Sequence, residues 1–351
     1  MKDIIFPSKF LNGQPNGISV DAKQFHDFFE TNSYSILMLR DLDTPNKDRP
    51  LRSKIMIHLK NYYIILKGVD IRNIKAEFFF FPQVSPIRYK FNPETRIVYR
   101  IHDVFPITNP QWFSIKAILS FRISMYRIKK DSLFIFNSEY TKKQFLTKKS
   151  IREDQTLVVP CMISNLLNKK CKKCQGCKTS TDSNGYLLCV GTIEPRKNYQ
   201  TLLDIYTKNL DSLPNLVVIG NQGWKQKRIA KGLQNNPKIS LMGGICDGAL
   251  MELYVNSIAF VSLSLDEGFN IPAHEAERYE LPMILSDIPV HREFFQSSSL
   301  VKFVSPRDQE EIVNQIMQFN TYKRKSQILN YSDSPMYSES LNNFLKVKNY
   351  E

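Results

Sequence analysis

The chain has 351 residues, 42% apolar, 12% aromatic and 23% charged. That is too long for one small core, suits two globular domains, and excludes a disordered, collagen-like or coiled-coil chain. The net charge of +14 is unevenly spread: residues 1–180 carry 31 Lys and Arg against 15 Asp and Glu, whereas 181–351 carry 17 against 19. A basic first half draws polyanions, and nucleic acid, an anionic membrane face and a phosphorylated substrate all answer to that description.

Taken in chain order, the start MKDIIFPSKFLNGQPNG has Asp3 and Pro7 where an export signal needs an unbroken apolar run, so the chain is read as cytoplasmic. Short apolar runs rich in β-branched and aromatic residues follow at 4–6, 35–39, 77–81, 97–101, 133–136 and 157–159. Mixed segments with helical spacing separate them. Asp41-Leu42-Asp43 spells a D-x-D pattern able to hold a divalent cation, but it lies far in sequence from any phosphate-binding signal and is discounted. The segment 112–130 spaces Phe113, Ile115, Ile118, Leu119, Ile123 and Tyr126 among Lys116, Arg122, Arg127, Lys129 and Lys130. It reads either as a core helix with a solvated basic edge or as a face resting on anionic lipid.

The stretch 168–184 is basic, then rich in Ser, Thr, Asp and Gly, and lacks periodic apolar residues; it predicts a linker. Its Cys171, Cys174 and Cys177 stand in a C-x2-C-x2-C run, one ligand short of a closed zinc site, and six cysteines in this length imply a reducing compartment. A second set of runs lies at 186–190, 215–219, 239–242, 258–263, 283–285 and 300–303. Even 250–265 carries Glu252 and Asn256 and falls short of the roughly 20 apolar residues of a membrane span. Continuous apolar strands alternating with helices predict parallel sheets covered on both faces. The fold class is therefore α/β with two Rossmann-like domains, at 1–167 and 185–330, followed by a tail helix within 331–351.

The chemistry concentrates in the second half. After YLLCV comes Gly191-Thr192-Ile193-Glu194-Pro195-Arg196-Lys197-Asn198, then TLLDIY in helical spacing. A Gly-bearing turn with adjacent cations at a helix entrance traps anions, because backbone amides and full charges converge there. After IAFVSL comes Asp266-Glu267-Gly268-Phe269-Asn270-Ile271-Pro272-Ala273-His274-Glu275. Pro272 suits a first helical turn, which leaves Glu267 in the loop at the sheet's carboxyl edge and Glu275 about one turn inside the helix. Composition alone yields about three acidic pairs at this spacing, so the context carries the signal.

Four blocks together, VGTIEPRKN, LVVIGNQGW, LMGGICDGAL and DEGFNIPAHEAERYELPMILSDIPVHRE, resemble the successive motifs of glycosyltransferase family 4 across residues 190–293. More loosely, Asn16-Gly17-Ile18 resembles that family's early glycine loop, YRIHDVFP its His-Asp segment, and FNSEYTKKQF the stretch before its domain crossing. The resemblance implies a GT-B architecture, two Rossmann-like domains facing each other across a cleft. It also implies a retaining, metal-independent glycosyltransferase with no cofactor beyond its nucleoside-diphosphate sugar donor.

Position by position, the resemblance implies that Arg196 and Lys197 hold the donor diphosphate, Glu275 the ribose, and Glu267 the transferred sugar. The amides of Gly268, Phe269 and Asn270 would touch sugar and phosphate, and Gly243 to Ile245 would cradle the base. His102 and Gly17 would reach toward the donor from the first domain. The expected acceptor is a glycan, in particular a lipid-linked saccharide of surface polysaccharide synthesis, with mannose or another hexose transferred at the inner face of the plasma membrane. Asn270 and Glu280 stand where the family usually has glycine; Asn tolerates a left-handed backbone better than most residues. Two alternatives remain at this level: a catalytically silent nucleotide-binding member, or a basic nucleic-acid-binding protein, which would leave the carboxylates and ordered blocks unused and is set aside, so no nucleic-acid partner is expected.

Overall fold

The structure is a computed structural model that describes residues 2–8, 11, 17–39, 63–65, 67–161, 163, 185–319 and 336–346. Two compact units emerge, Met1–Met162 with Pro335–Glu351, and Ile163–Ser334. The boundary thus falls at 162/163 rather than 167, and the tail joins the first unit. The expected linker 168–184, with Cys171, Cys174 and Cys177, lies outside the described residues, as do Asn16, Asp41 and Asp43.

In the first unit the chain runs through β1 (Lys2–Pro7), α1 (Gly17–Thr31), β2 (Tyr34–Leu39), β3 (Val69–Asp70), β4 (Phe78–Phe81), β5 (Tyr89–Lys90) and β6 (Arg96–Ile101). It continues through α2 (Phe105–Thr108), α3 (Ile115–Arg127), β7 (Leu133–Phe136), α4 (Glu139–Leu146) and β8 (Thr156–Val158). Six of these strands form a parallel sheet in the order β2-β1-β4-β6-β7-β8, while β3 and β5 pair separately. The four phenylalanines of β4 show why the strands read as unbroken apolar runs. Phe78 and Phe80 enter one core, with Phe25 and Phe29 of α1, and Phe79 and Phe81 enter the other, with Met125 of α3 and Phe145 of α4. A strand buried on both faces has no polar side to show.

The second unit repeats the alternation: β9 (Tyr186–Val190), α5 (Tyr199–Lys208), β10 (Asn215–Ile219), α6 (Lys227–Asn235), β11 (Ile239–Met242), α7 (Asp247–Asn256) and β12 (Ala259–Ser262). It closes with α8 (Ile271–Arg278), β13 (Met283–Ser286), α9 (Pro289–Phe295), β14 (Val301–Val304) and α10 (Gln309–Phe319). All neighbours are parallel in the order β11-β10-β9-β12-β13-β14. The unit's first strand, β9, sits between β10 and β12, so the strand order reverses there. In open α/β sheets that reversal opens a crevice at the carboxyl ends of the two strands, because the chain leaves them toward opposite faces.

Helix α11 (Met336–Lys346) packs onto the first unit. Leu341, Phe344 and Leu345 enter the core holding Phe78, Arg96 Nη1 donates to the Leu345 carbonyl at 2.8 Å, and Asn342 Nδ2 donates to Asn32 Oδ1 at 2.8 Å.

Candidate active site

Both sharp motifs leave the sheet at the reversal. The backbone after β9 needs glycine twice: Gly191 has φ 154°, and a Cβ on Gly220 at the end of β10 would stand 2.0 Å from the Gly191 carbonyl. The strand ends therefore approach as only glycine permits. The chain then turns through Pro195–Lys197, and Asn198, at φ 56°, starts α5 while its Nδ2 donates to the Pro306 carbonyl at 2.7 Å. Tyr199 Oη donates to the Gly191 carbonyl at 2.6 Å. These bonds aim Arg196 and Lys197 at the loop after β12.

There they meet Glu267. Arg196 Nη1 and Lys197 Nζ each donate to a different oxygen of its carboxylate, and Arg196 Nε pairs with Glu194 Oε1 at 2.6 Å. Ser264 Oγ donates to Glu267 Oε1 at 2.7 Å, and Leu265 N to the Arg196 carbonyl at 2.7 Å, so main chain ties the two loops as well. Glu267 is 3% exposed. Burial alone would raise its pKa, but Arg196 and then Lys197 outweigh that and hold the carboxyl down at about 2. It is ionised throughout the physiological range, and the two cations stay concentrated in one place.

Glu275 lies in the second turn of α8, after Pro272, as the spacing predicts. Here burial wins: the carboxyl is pushed up to about 7, although Tyr254 Oη donates to Oε2 at 2.8 Å. The two acidic residues thus sit in opposite electrostatic settings. Asn270 has φ 70° at the N-cap of α8. Its Nδ2 donates to Ser262 Oγ at 3.1 Å and to His291 Nε2 at 2.8 Å, while the buried Oδ1 accepts from no protein donor. His291 Nδ1 lies 2.8 Å from the Ser286 carbonyl and donates to it, which fixes Nε2 as the acceptor. Burial depresses the His291 pKa to about 4, so the ring stays neutral. Glu280 likewise has a positive φ of 48°. Both positions where the resemblance expects glycine do use the left-handed region, and Asn270 compensates with a side-chain lock.

Phe269 stacks on His274 with centroids 4.1 Å apart, beside Gly268. Gly243 follows β11, and a Cβ there would meet Asn221 Oδ1 at 2.5 Å; Ile245 packs against the core that holds Leu188 and Phe260.

In the first unit, His102 follows β6 and Gly17 begins α1. One turn into α1, the buried Asp21 accepts from Arg100 Nε and Nη2 at 2.8 and 2.9 Å. Arg100 also donates to the carbonyls of Phe136 and Val159 and to Cys161 Sγ, which fully engages a guanidinium buried in mid-sheet. Burial raises the Asp21 pKa, but Arg100 and then His102 more than reverse this and it lies below the usual carboxylate range. His102 Nε2 lies 2.9 Å from the Pro82 carbonyl and 3.8 Å from Asp21 Oδ2. Burial lowers its pKa despite Asp21, so the ring is neutral with Nε2 protonated and Nδ1 carrying the lone pair. The sequence reading missed Asp21, Arg100, Ser264 and His291. Arg100, the second arginine of the strand RIVYRI and flanked there by apolar residues, was the available signal for a buried partner.

Among the described residues, two groups could hold a metal: Asp21, His102 and Cys161, and His26, Asp27 and Glu30. The first already holds the Arg100 guanidinium against Asp21 and Cys161, which opposes a further cation, and the second has Asp27 and Glu30 exposed on α1. Neither involves Arg196, Lys197 or Glu267.

The Glycosyl transferases group 1 family profile matches residues 178–332. The serotype-specific mannosyltransferase WbdA of Escherichia coli is 38% identical over 117 residues, which cover 31% of this chain and only 14% of that much longer protein. The O-antigen chain mannosyltransferase RfbU of Salmonella typhimurium is 24% identical over 333 residues, covering 90% of this chain and 88% of that one. Among solved structures, WaaG, a glycosyltransferase involved in lipopolysaccharide biosynthesis, superimposes with TM-score 0.63 at 13% identity, covering 99% of this chain and 96% of WaaG. Sucrose-phosphate synthase from Thermosynechococcus elongatus gives TM-score 0.63 at 15% identity, covering 92% of each chain. With its two parallel-sheet domains the chain has the GT-B fold, and its residues 178–332 are those that match the glycosyl transferases group 1 family.

Proposed function

We propose that this chain is a retaining glycosyltransferase that moves a hexose, mannose foremost, from a nucleoside-diphosphate sugar to a saccharide acceptor in surface polysaccharide biosynthesis. The observation that carries the reading is the junction of Arg196, Lys197 and Glu267 at the carboxyl ends of β9 and β12, where the strand order reverses. Paired cations beside glycine-lined strand ends suit a diphosphate. Glu275, one turn inside α8, suits the ribose, and Gly243 with Ile245 the base. The similarity to O-antigen chain mannosyltransferases supports mannose as the sugar.

In the proposed reaction the bond between the anomeric carbon and the β-phosphate oxygen breaks, leaving an oxocarbenium-like sugar and new negative charge on phosphate. Arg196 and Lys197 meet that charge more strongly than they meet the ground state, which lowers the barrier. The acceptor hydroxyl bonds to the anomeric carbon on the face the phosphate leaves, and its proton passes to the departing phosphate oxygen. Glu267 keeps the cations in place and faces the sugar. The Gly268 and Phe269 amides line the phosphate and sugar, and Asn270 Oδ1 offers an acceptor to a sugar hydroxyl. Full positive charges supply what a metal would, so we propose that no metal or cofactor takes part.

No helix among the described residues is long and apolar enough to cross a membrane. We place the chain in the cytoplasm at the inner membrane face, where lipid-linked saccharides are extended. A silent nucleotide-binding member is the second reading, motivated by Asn270 and Glu280. Both residues hold the left-handed backbone, which weakens that reading. Sugar release from UDP-, GDP- and dTDP-hexoses, measured with wild type, Glu267→Ala and Lys197→Ala, decides between them. Turnover of one donor, falling about 100-fold or more in both variants, is expected. Turnover of none, or variants as active as wild type, contradicts the proposal.

A further inference from the structure

Helix α3 shows solvent the face that a surface helix normally makes polar. Ile115 is 77% exposed, Leu119 53%, Ile123 40% and Tyr126 86%. At about 100° per residue these four fall within about 80° of arc, with Arg122 at one edge and Lys116 at the other. The opposite side is the packed one, where Ser124 and Met125 are buried. The helix is therefore anchored by one face while its second apolar face stays uncovered, running about 20 Å along a convex cylinder.

Charge identifies the occupant. Residues 112–130 contain five Lys and Arg and not one Asp or Glu. Among the described residues, no carboxylate forms an ion pair with Lys116, Arg122, Arg127, Lys129 or Lys130. Arg127 spends Nη1 on the carbonyls of Ile65 and Pro86, which are neutral, and Lys129 Nζ lies over the Phe91 ring at 4.8 Å. Beside the end of α3 opens a cavity of about 500 Å³, whose lining includes Arg88, Lys90, Phe91, Tyr126, Arg127 and Lys129. An apolar stripe edged by cations, ending at a cationic recess of headgroup size, is complementary to a layer of acyl chains beneath phosphates.

We propose that α3 lies in the plane of an anionic membrane, with Ile115, Leu119, Ile123 and Tyr126 below the phosphates and Lys116, Arg122, Lys129 and Lys130 among them. The recess beside Tyr126 takes a lipid headgroup phosphate. This deepens the membrane placement proposed above and rests on that placement alone. A transferase that is active on soluble acceptors yet ignores vesicles overturns this inference and leaves the transferase reading standing.

The test is flotation of the full chain with phosphatidylcholine vesicles and with phosphatidylcholine–phosphatidylglycerol vesicles. The variants are Leu119→Glu with Ile123→Glu, and Lys129→Gln with Lys130→Gln, all at exposed positions whose folding is checked by thermal melting. Wild type is expected to float only with the anionic vesicles. The glutamate pair should cut partitioning at least about tenfold, and the glutamine pair about fivefold per charge, less at high salt. Tyr126→Trp should give an emission blue shift with anionic vesicles alone. Equal flotation with neutral vesicles, wild-type flotation of a folded glutamate pair, or burial of this face in a self-associated species that ignores vesicles each overturns the proposal.

Discussion

Replacing Glu267 by Gln keeps the shape of the side chain and removes the charge that Arg196 and Lys197 share. A carboxyl held at about 2 instead of near 4.5 is favoured in its charged form by about 3 kcal/mol, at roughly 1.4 kcal/mol per pH unit. Glu267→Gln should therefore lower the unfolding free energy at pH 7 by about 3 kcal/mol, read from urea melts. Since the folded pKa is depressed, the contribution is present above about 4.5 and lost as pH falls through about 2. The gap between wild type and variant should close across that interval. Lys197 loses its carboxylate partner, whereas Arg196 keeps Glu194. A nucleoside diphosphate then supplies the missing negative charge, so it should raise the melting temperature of the variant more than that of wild type, even though sugar transfer is lost. A variant as stable as wild type, with the same ligand-induced increment, refutes the reasoning that Glu267 holds the cations for an anionic guest.

Three further outcomes follow from the geometry. Glu275, pushed up to about 7, contributes stability present below about 4.5 and lost as pH rises through about 7, opposite in sign to Glu267. If ribose hydroxyls donate to it, nucleotide binding at pH 7 should release about half a proton more from wild type than from Glu275→Gln, measurable by calorimetry in buffers of differing ionisation enthalpy. Glu280→Gly should stabilise by about 1 kcal/mol because it relieves the left-handed strain; Asn270→Gly, at a similar φ, should destabilise by about 1–3 kcal/mol because Ser262 and His291 lose their donor. Asp21→Asn should cost about 3–5 kcal/mol by leaving the Arg100 charge buried, and Asp21→Leu combined with Arg100→Leu should recover much of it, both seen in urea melts.

The twelve strands of the two main sheets were legible as short apolar runs, clearest where a strand is buried throughout, as in β4, β7, β12 and β13. The pair β3 and β5, two residues each, is too short to carry any periodicity. Arg196, Lys197 and Glu267 were legible as local strings at strand ends, where chain order and spatial order agree. Asp21 and Arg100 were not, because 79 residues separate the partners and nothing in the segment YRIHDVFP that contains Arg100 points to Asp21. The Asn270–His291 lock joins two residues of one block, but the 21 positions between them hid the contact. The destination of the tail helix was hidden too, since Leu341, Phe344 and Leu345 form an apolar stripe that could have served either domain's core. The exposure of Ile115 and Tyr126 is the reverse case: periodicity signalled an apolar face on α3, and only the packing shows that solvent, not protein, meets it.

The most direct measurement is a crystal structure of the chain with a bound nucleoside diphosphate. Phosphate oxygens are expected within hydrogen-bonding distance, about 3 Å, of Lys197 Nζ and the Arg196 guanidinium, with the ribose against Glu275. A diphosphate bound elsewhere on the chain, with Arg196 and Lys197 still held by Glu194 and Glu267, would contradict that placement.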